Sequence, residues 1–285
     1  MNIYVSTGGY YQPADETARL LADAGINGIE LSGGQHAVGL VDRLAALRDR
    51  VVFQVHNYFP PPAVPFVLNM GSLDEETGQR SLAHVERALE CCVAVGADRY
   101  SFHAGFLLDP HVNELGQRIQ SRQLFDRDEC IAAFVGRVCS IATSAAGMGV
   151  SVMVENNVLS ARNAAEFQGN PLLMCDPDEC HQIMKQMPNN VGLLIDVAHL
   201  KVSAQTLGFD PAVMFEKCNE WIVGYHLSDN DGLEDSNRPF AHDAWFWRHL
   251  KRDAGYYSVE VYGLAPQDMP QLVDIIEEKL ISAAG

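Results

Sequence analysis

Histidine and carboxylate side chains recur in this chain at the ends of short apolar runs. They occur in six successive runs, from the third to the eighth. A charged group at the end of a buried strand costs free energy unless it is paired or ligated, so this repetition favours one shared site. The seven residues are His56, His103, Glu155, Asp196, His199, His226 and Glu260.

Four of these residues form a ligand set for a divalent cation. Glu155, Asp196 and Glu260 supply carboxylate oxygens, and His226 supplies an imidazole nitrogen. Such ligands suit Mn²⁺, Mg²⁺, Co²⁺ or Zn²⁺. Because no thiol stands at these positions, a structural zinc site is not expected. The sequence therefore predicts a metal-centred functional site.

The elements that must position these residues alternate along the whole chain. Most of the strand-like runs are continuously apolar, as in a parallel sheet that is covered on its outer face, and helix-like stretches separate them. The predicted strands are Ile3–Ser6, Gly28–Leu31, Val51–His56, Arg99–His103, Val150–Glu155, Gly192–Asp196, Ile222–Leu227 and Tyr257–Val261. The predicted helices are Ala14–Ala24, Val41–Arg48, Asp74–Val95, Asp126–Ala146, Asp176–Lys185, Pro211–Asn219, His242–Arg252 and Pro270–Ser282.

This alternation predicts an α/β fold, a (β/α)8 TIM barrel that forms one domain over residues 1–285. The carboxyl ends of all strands then open onto one face, where the active sites of such barrels are found. The seven polar residues would converge there. An open doubly wound sheet is the alternative, but no Gly-x-Gly-x-x-Gly motif follows the first strand.

Composition and charge indicate a globular protein and exclude some classes of partner. The 285 residues are 47% hydrophobic and 20% charged, which is ordinary globular composition. A net charge of −17 repels a phosphate backbone and anionic lipid, so neither nucleic acid nor membrane is expected as a partner. The 7 cysteines form no Cys-x-x-Cys motif, which favours reduced thiols. With no predicted signal peptide or membrane span, a cytoplasmic location is expected.

Four short motifs carry a family resemblance that covers nearly the whole chain. They are Val154-Glu155-Asn156, Asp196-Val197-Ala198-His199, His226-Leu227-Ser228-Asp229 and Val259-Glu260. Together they resemble the xylose isomerase-like TIM-barrel superfamily, which includes ketose 3-epimerases, inosose dehydratases, hydroxypyruvate isomerases and endonuclease IV enzymes. The epimerase branch implies that the four ligand residues hold one divalent metal, often manganese. It also implies that Glu155 and Glu260 are the acid–base pair and that His199 contacts the substrate.

The resemblance implies enediolate chemistry. The metal would polarise a substrate carbonyl, one glutamate would remove the neighbouring proton, and the other would return it. We therefore predict a divalent-metal-dependent isomerase or epimerase of a small sugar or a related polyhydroxy carbonyl compound. A metal-dependent dehydratase of the inosose type and a phosphoester hydrolase of the endonuclease IV type remain open.

The chain departs from each branch at particular positions. Where the epimerases have a second acid and an arginine, this chain has Leu159 and Gly232, and Arg238 is the candidate to bind substrate in place of that arginine. His56 and His103 match two endonuclease IV positions, and His199 matches a third. The remaining metal motif of that branch is not evident, so we interpret His56 and His103 as groups that either support the metal ligands or contact the substrate.

One further segment predicts a part of the site. Residues Ser228–Trp247 are acidic and aromatic, which indicates a loop that closes over the barrel mouth with His242 facing the substrate. The same aromatic residues could serve an interface, and a homodimer is expected.

Overall fold

Eight parallel strands lie at the predicted places in the structure, a computed structural model that describes residues 2–281. They are β1 (Ile3–Ser6), β2 (Gly28–Ser32), β3 (Val52–His56), β4 (Arg99–His103), β5 (Ser151–Glu155), β6 (Val191–Asp196), β7 (Ile222–Leu227) and β8 (Tyr257–Val259). Each strand pairs with the next along the chain, and β8 pairs with β1 to close the ring. The predicted TIM barrel is confirmed, and the open sheet is wrong. Met1 and residues 282–285 of the predicted domain lie outside the described residues.

Helices surround the barrel, and most begin where the sequence predicts. They are α1 (Ala14–Asp23), α2 (Leu40–Ala45), α3 (Glu75–Val95), α4 (Arg127–Gly147), α5 (Ala161–Phe167), α6 (Pro177–Met184), α7 (Val197–Leu207), α8 (Ala212–Lys217) and α9 (Met269–Ile281). Three helices, α3, α4 and α6, are capped at their N-termini by the side chains of Asp74, Asp126 and Asp176. These caps explain why the starts of the three helices could be predicted from the sequence. The predicted end of α9, Ser282, lies outside the described residues.

Two helices were missed and one predicted helix is wrong. We did not predict α5 or α7, and α7 begins directly after the last residue of β6. The predicted helix His242–Arg252 contains only a short 3₁₀ turn, Trp247–His249. Its aromatic residues pack inward instead: Phe246 is fully buried, and the Trp247 indole nitrogen donates to the Ala241 carbonyl at 2.8 Å. Tertiary packing overrides helix propensity in this segment.

Helix α4 is long and apolar enough to cross a membrane by length and composition, with a mean hydropathy of 1.5 in its most apolar window. In the structure it lies against the barrel. One face of it is buried, through Cys130, Phe134, Val138 and Ile141 among others. Its apolar composition therefore serves the barrel core.

One histidine of a predicted helix, His84, is removed from solvent. It is fully buried on α3, stacked on Tyr58 with ring centroids 5.2 Å apart. Neither ring nitrogen has a hydrogen-bond partner within residues 2–281. Burial lowers the pKa of His84 to about 4, and the neighbouring Arg87 and Arg80 act in the same direction.

We expect His84→Phe to stabilise the protein in mild acid. The pKa of His84 is lower in the folded state than in the unfolded chain, so stability is lost as pH falls from about 6.5 towards 4. Phenylalanine removes that loss and keeps the stacking. In thermal unfolding, the melting temperature of the variant should exceed that of wild type by several degrees more at pH 5 than at pH 8. An equal difference at both pH values would contradict the buried neutral imidazole.

Candidate metal centre and substrate cavity

Four side chains from the carboxyl ends of β5 to β8 meet inside the barrel mouth. Strand register brings two of them together, since Asp196 and His226 are paired across β6 and β7. His226 Nδ1 lies 3.1 Å from Glu155 Oε1, 3.0 Å from Glu260 Oε2 and 4.0 Å from Asp196 Oδ2. One ligand atom from each of the four lies within 4.8 Å of all the others.

This cluster fits a divalent cation. All four residues are buried, and three of them are carboxylates. Within the described part of the chain, Glu155 Oε2 and Asp196 Oδ2 are buried atoms without a hydrogen-bond partner. Buried carboxylate oxygens without partners are costly, and coordination of a cation would satisfy them. The donor set of oxygens and one imidazole suits Mn²⁺, Mg²⁺, Co²⁺ or Zn²⁺.

The two deepest carboxyl groups have opposite electrostatic surroundings. Burial opposes ionisation of Glu155, but His103, His226 and His56 outweigh it and hold its pKa well below the usual range. Burial raises the pKa of Asp196 to about 7; His199 opposes this rise, and the nearby carboxylates reinforce it. Because the two pKa values differ in this way, Glu155 can be ionised while Asp196 keeps a proton.

Glu30 belongs to this centre and was missed in the sequence. It lies in the middle of β2, fully buried, and its Oε2 is 2.8 Å from His226 Nε2. The Tyr256 hydroxyl donates to the same oxygen. A lone carboxylate between Ile29 and Leu31 in an apolar strand was the available signal, because a buried charge needs a partner.

His56 and His103 lie on the other side of Glu155. His103 Nδ1 is 3.3 Å and His56 Nε2 is 3.5 Å from Glu155 Oε2. His56 is buried and also contacts Ser101 Oγ through Nδ1 at 2.9 Å. His103 is the more accessible of the two, with 29% of its side chain exposed. These two histidines and Glu155 form a second group of possible metal ligands.

His199 lies on the first turn of α7, not on a strand. Asp196 caps this helix by accepting from the His199 backbone nitrogen at 2.7 Å. The His199 ring bonds at both nitrogens, with Nδ1 3.0 Å from the Asn156 carbonyl and Nε2 3.2 Å from Asp235 Oδ2. Burial disfavours its charged form, but Asp196 and Asp235 hold the pKa of the imidazole well above its usual range. Asp235 was not predicted as a site residue.

A cavity of about 390 Å³ opens above this centre. Its lining combines apolar side chains, such as Phe106, Leu115 and Leu172, with polar ones. The polar lining residues include His103, Asn157, His199, Asp235 and Tyr262. Its volume suits a small ligand. A larger depression of about 650 Å³ lies at the opposite end of the barrel, and none of the predicted site residues lines it.

Comparison with known proteins gives the family. A family model described as a xylose isomerase-like TIM barrel matches residues 18–278. The chain belongs to this family. No curated protein sequence matches it.

Solved structures of this xylose isomerase-like fold superimpose over nearly the whole chain. A D-tagatose 3-epimerase-like protein has a TM-score of 0.73 and 21% identity, covering 98% of this chain and 97% of its own. The 3-keto-D-glucoside 4-epimerase of E. coli has a TM-score of 0.68 and 15% identity, covering 98% of both chains. An AP endonuclease of family 2 from Brucella melitensis has a TM-score of 0.67 and 16% identity, covering 96% and 99%. At these identities the likeness shows the fold alone.

Three of the predicted substrate-binding residues do not line the cavity: His56, which is buried beside Glu155, and the exposed Arg238 and His242. Arg238 forms a backbone bridge with Asp229, and its exposed guanidinium lies 3.4 Å from Asp231. The exposed His242 ring lies 3.1 Å from Glu278 on α9. The backbone bridge turns the segment after β7 so that its lining residues are Glu234, Asp235 and Asn237. Arg162, which pairs with Glu234, lines the cavity instead.

Proposed function

We propose that this protein is a divalent-metal-dependent isomerase or epimerase of a small sugar or a related polyhydroxy carbonyl compound. The observation that carries the proposal is that Glu155 and Glu260 reach the same nitrogen of His226 from strands three positions apart in the ring. Two carboxylates that approach one point from different sides can act on opposite faces of a bound carbon. The histidine, asparagine and aspartate side chains in the cavity above them could hydrogen-bond the hydroxyl groups of such a substrate.

In this proposal Glu155, Asp196, His226 and Glu260 hold the ion. A divalent ion bound there would polarise a substrate carbonyl and so acidify the neighbouring C–H bond. One glutamate accepts the proton from that carbon, and the other donates a proton to the enediolate of the substrate. The Tyr262 hydroxyl lies 3.2 Å from Glu260 Oε1 and orients this carboxylate.

The histidines have distinct proposed roles. His103 and His199 line the cavity and bind substrate hydroxyl groups. His56 is buried against Glu155 and Ser101, so we propose that it acts by orienting Glu155. Because Asp235 and Asn156 already occupy both ring nitrogens of His199, a substrate oxygen would have to share one of these bonds.

A screen of ketoses and inososes in deuterated water tests the reaction class. We expect the Mn²⁺-loaded protein to incorporate solvent deuterium at the carbon next to the carbonyl of its substrate. Release of water from an inosose together with exchange would identify the dehydratase. Turnover of a phosphoester with no carbon exchange would contradict the proposal.

A specific observation keeps the hydrolase as a second candidate. His56, His103 and Glu155 form a further possible ligand group beside the four-residue centre, as a multi-metal hydrolase requires. The net charge of −17 is unfavourable for a nucleic acid substrate.

Metal titration separates the two candidates. We expect the metal-free protein to bind one Mn²⁺ per chain, to release protons and to melt at a higher temperature, because the buried cluster holds protons that a cation displaces. Calorimetry in buffers of different ionisation enthalpy, with thermal unfolding in parallel, measures both effects. Three zinc ions per chain would favour the hydrolase. Absence of both proton release and thermal shift would contradict a metal centre.

The remaining proposals concern location and assembly. We propose a cytoplasmic protein, which is consistent with its 7 free cysteines. A homodimer stays a prediction that a sedimentation measurement would test.

A further inference from the structure

Glu30 stands outside the four ligand residues but contacts one of them. We propose that Glu30 is a positioning residue, which keeps the proton of His226 on Nε2 and thereby presents Nδ1 to the ion. The inference rests on the proposed function, since it requires a metal at the four-residue centre.

The geometry of His226 carries the proposal. Its Nε2 faces Glu30 Oε2 at 2.8 Å, while its Nδ1 faces Glu155 and Glu260 at 3.1 and 3.0 Å. A metal ligand must offer a lone pair, and a neutral imidazole has one on only one nitrogen. An ionised Glu30 only accepts hydrogen bonds, so the nitrogen beside it keeps the proton. The lone pair is then on the nitrogen that faces the other ligands.

Glu30 is itself held firmly. The Tyr256 hydroxyl donates to the same carboxylate oxygen, and the Tyr256 ring stacks on Tyr4 with centroids 4.9 Å apart. Glu30 and Tyr256 are both fully buried. Burial and the hydrogen bond from Tyr256 leave this carboxylate little freedom to turn, although its Oε1 has no hydrogen-bond partner within residues 2–281. It therefore fixes the ring orientation of His226 as well as its tautomer.

Glu30 also belongs to a group of three possible ligands with His56 and His226. As a ligand, Glu30 would hold a second ion between β2, β3 and β7. We favour the positioning role because Glu30 accepts the 2.8 Å hydrogen bond from the His226 nitrogen that faces away from the four-residue centre. The two roles differ in the number of ions bound, which the experiment measures.

The first measurement is Mn²⁺ affinity by titration calorimetry. We expect Glu30→Leu to weaken binding by about 10–100-fold, the usual effect of removing the outer partner of a ligating histidine. Glu30→Gln should recover most of the affinity, because its amide oxygen can still accept from Nε2. Asp235→Asn is the control for loss of a nearby negative charge: it removes a carboxylate beside His199 that has no contact with His226 among the described residues. We expect it to have a smaller effect than Glu30→Leu.

The second measurement reports the tautomer directly. Long-range ¹H–¹⁵N spectra of the Zn²⁺-loaded protein should place the His226 proton on Nε2 in wild type, Glu30→Gln and Asp235→Asn. In Glu30→Leu this signal should be accompanied by the other tautomer, in the fraction of molecules whose His226 no longer coordinates the ion. A purely structural role for Glu30 would not change the tautomer. Circular dichroism verifies that each variant is folded. If the leucine variant is unfolded, the loaded wild type still tests the inference, because a His226 proton on Nδ1 would overturn it.

Several outcomes would overturn the inference. One is a wild-type Mn²⁺ affinity in Glu30→Leu, and another is an equal loss of Mn²⁺ affinity in Glu30→Leu and Asp235→Asn. A His226 proton on Nδ1 in the loaded wild type would also overturn it. So would two bound ions per chain of which Glu30→Leu loses one. If the wild-type protein binds no Mn²⁺, the proposed function itself fails. If wild type binds Mn²⁺ and Glu30→Leu binds it equally well, only the role of Glu30 fails.

Discussion

Replacing Glu260 by glutamine is expected to lower turnover by at least about 10³-fold and to weaken Mn²⁺ binding. General acid–base catalysis alone contributes about 10²–10⁴-fold, and an amide cannot accept the proton. Glu260 Oε2 also lies 3.0 Å from His226 Nδ1, so the same change removes a proposed ligand charge. The expected signature is loss of solvent deuterium exchange together with a raised Kd for Mn²⁺.

A matched control separates this effect from a general loss of negative charge. Glu278→Gln makes the same chemical change on α9, where the side chain is exposed and paired with His242. We expect this variant to keep wild-type turnover and Mn²⁺ affinity. If Glu260→Gln kept its activity on a verified substrate that shows no carbon exchange, the enediolate mechanism would be wrong. A hydrolase would then become the better proposal.

Asp196→Asn should have opposite effects on the metal-free and the metal-loaded protein. Without metal, burial raises the pKa of Asp196 to about 7, while the unfolded chain has an ordinary carboxyl. The folded state then binds more protons, so stability falls as pH rises from about 4 to 7 and stays low above it. Asparagine avoids this loss, and its side-chain oxygen can still cap α7.

The metal-free variant should therefore melt several degrees above wild type at pH 8, with the difference disappearing near pH 4. Mn²⁺ should reverse the order. A ligand at about 100 times its Kd stabilises the folded state by about 2.7 kcal/mol. Wild type should gain this stabilisation, whereas Asp196→Asn should lose most of it because a ligand is missing. Equal Mn²⁺-induced shifts in both proteins would show that Asp196 is not a ligand.

Position along the strand explains why some residues of this centre could be predicted from the sequence and Glu30 could not. Glu155, Asp196 and Glu260 stand at the ends of strands, where a barrel places polar groups. Glu30 lies within β2, where an apolar run predicts core packing. Its contact at this centre is with His226, which is 196 residues away in the chain. No local pattern reports such a pair.

The sequence by itself determined the barrel and seven of the polar residues near its mouth. Apolar runs, periodic helices and capping aspartates are local signals, and parallel closure carries the strand ends to one face. Tertiary structure alone decided the contacts between distant segments. The path of the segment after β7 brings Asp235 to His199 and leaves Arg238 and His242 on the surface. Side-chain direction in a loop depends on packing across the fold, which residue type and spacing do not encode.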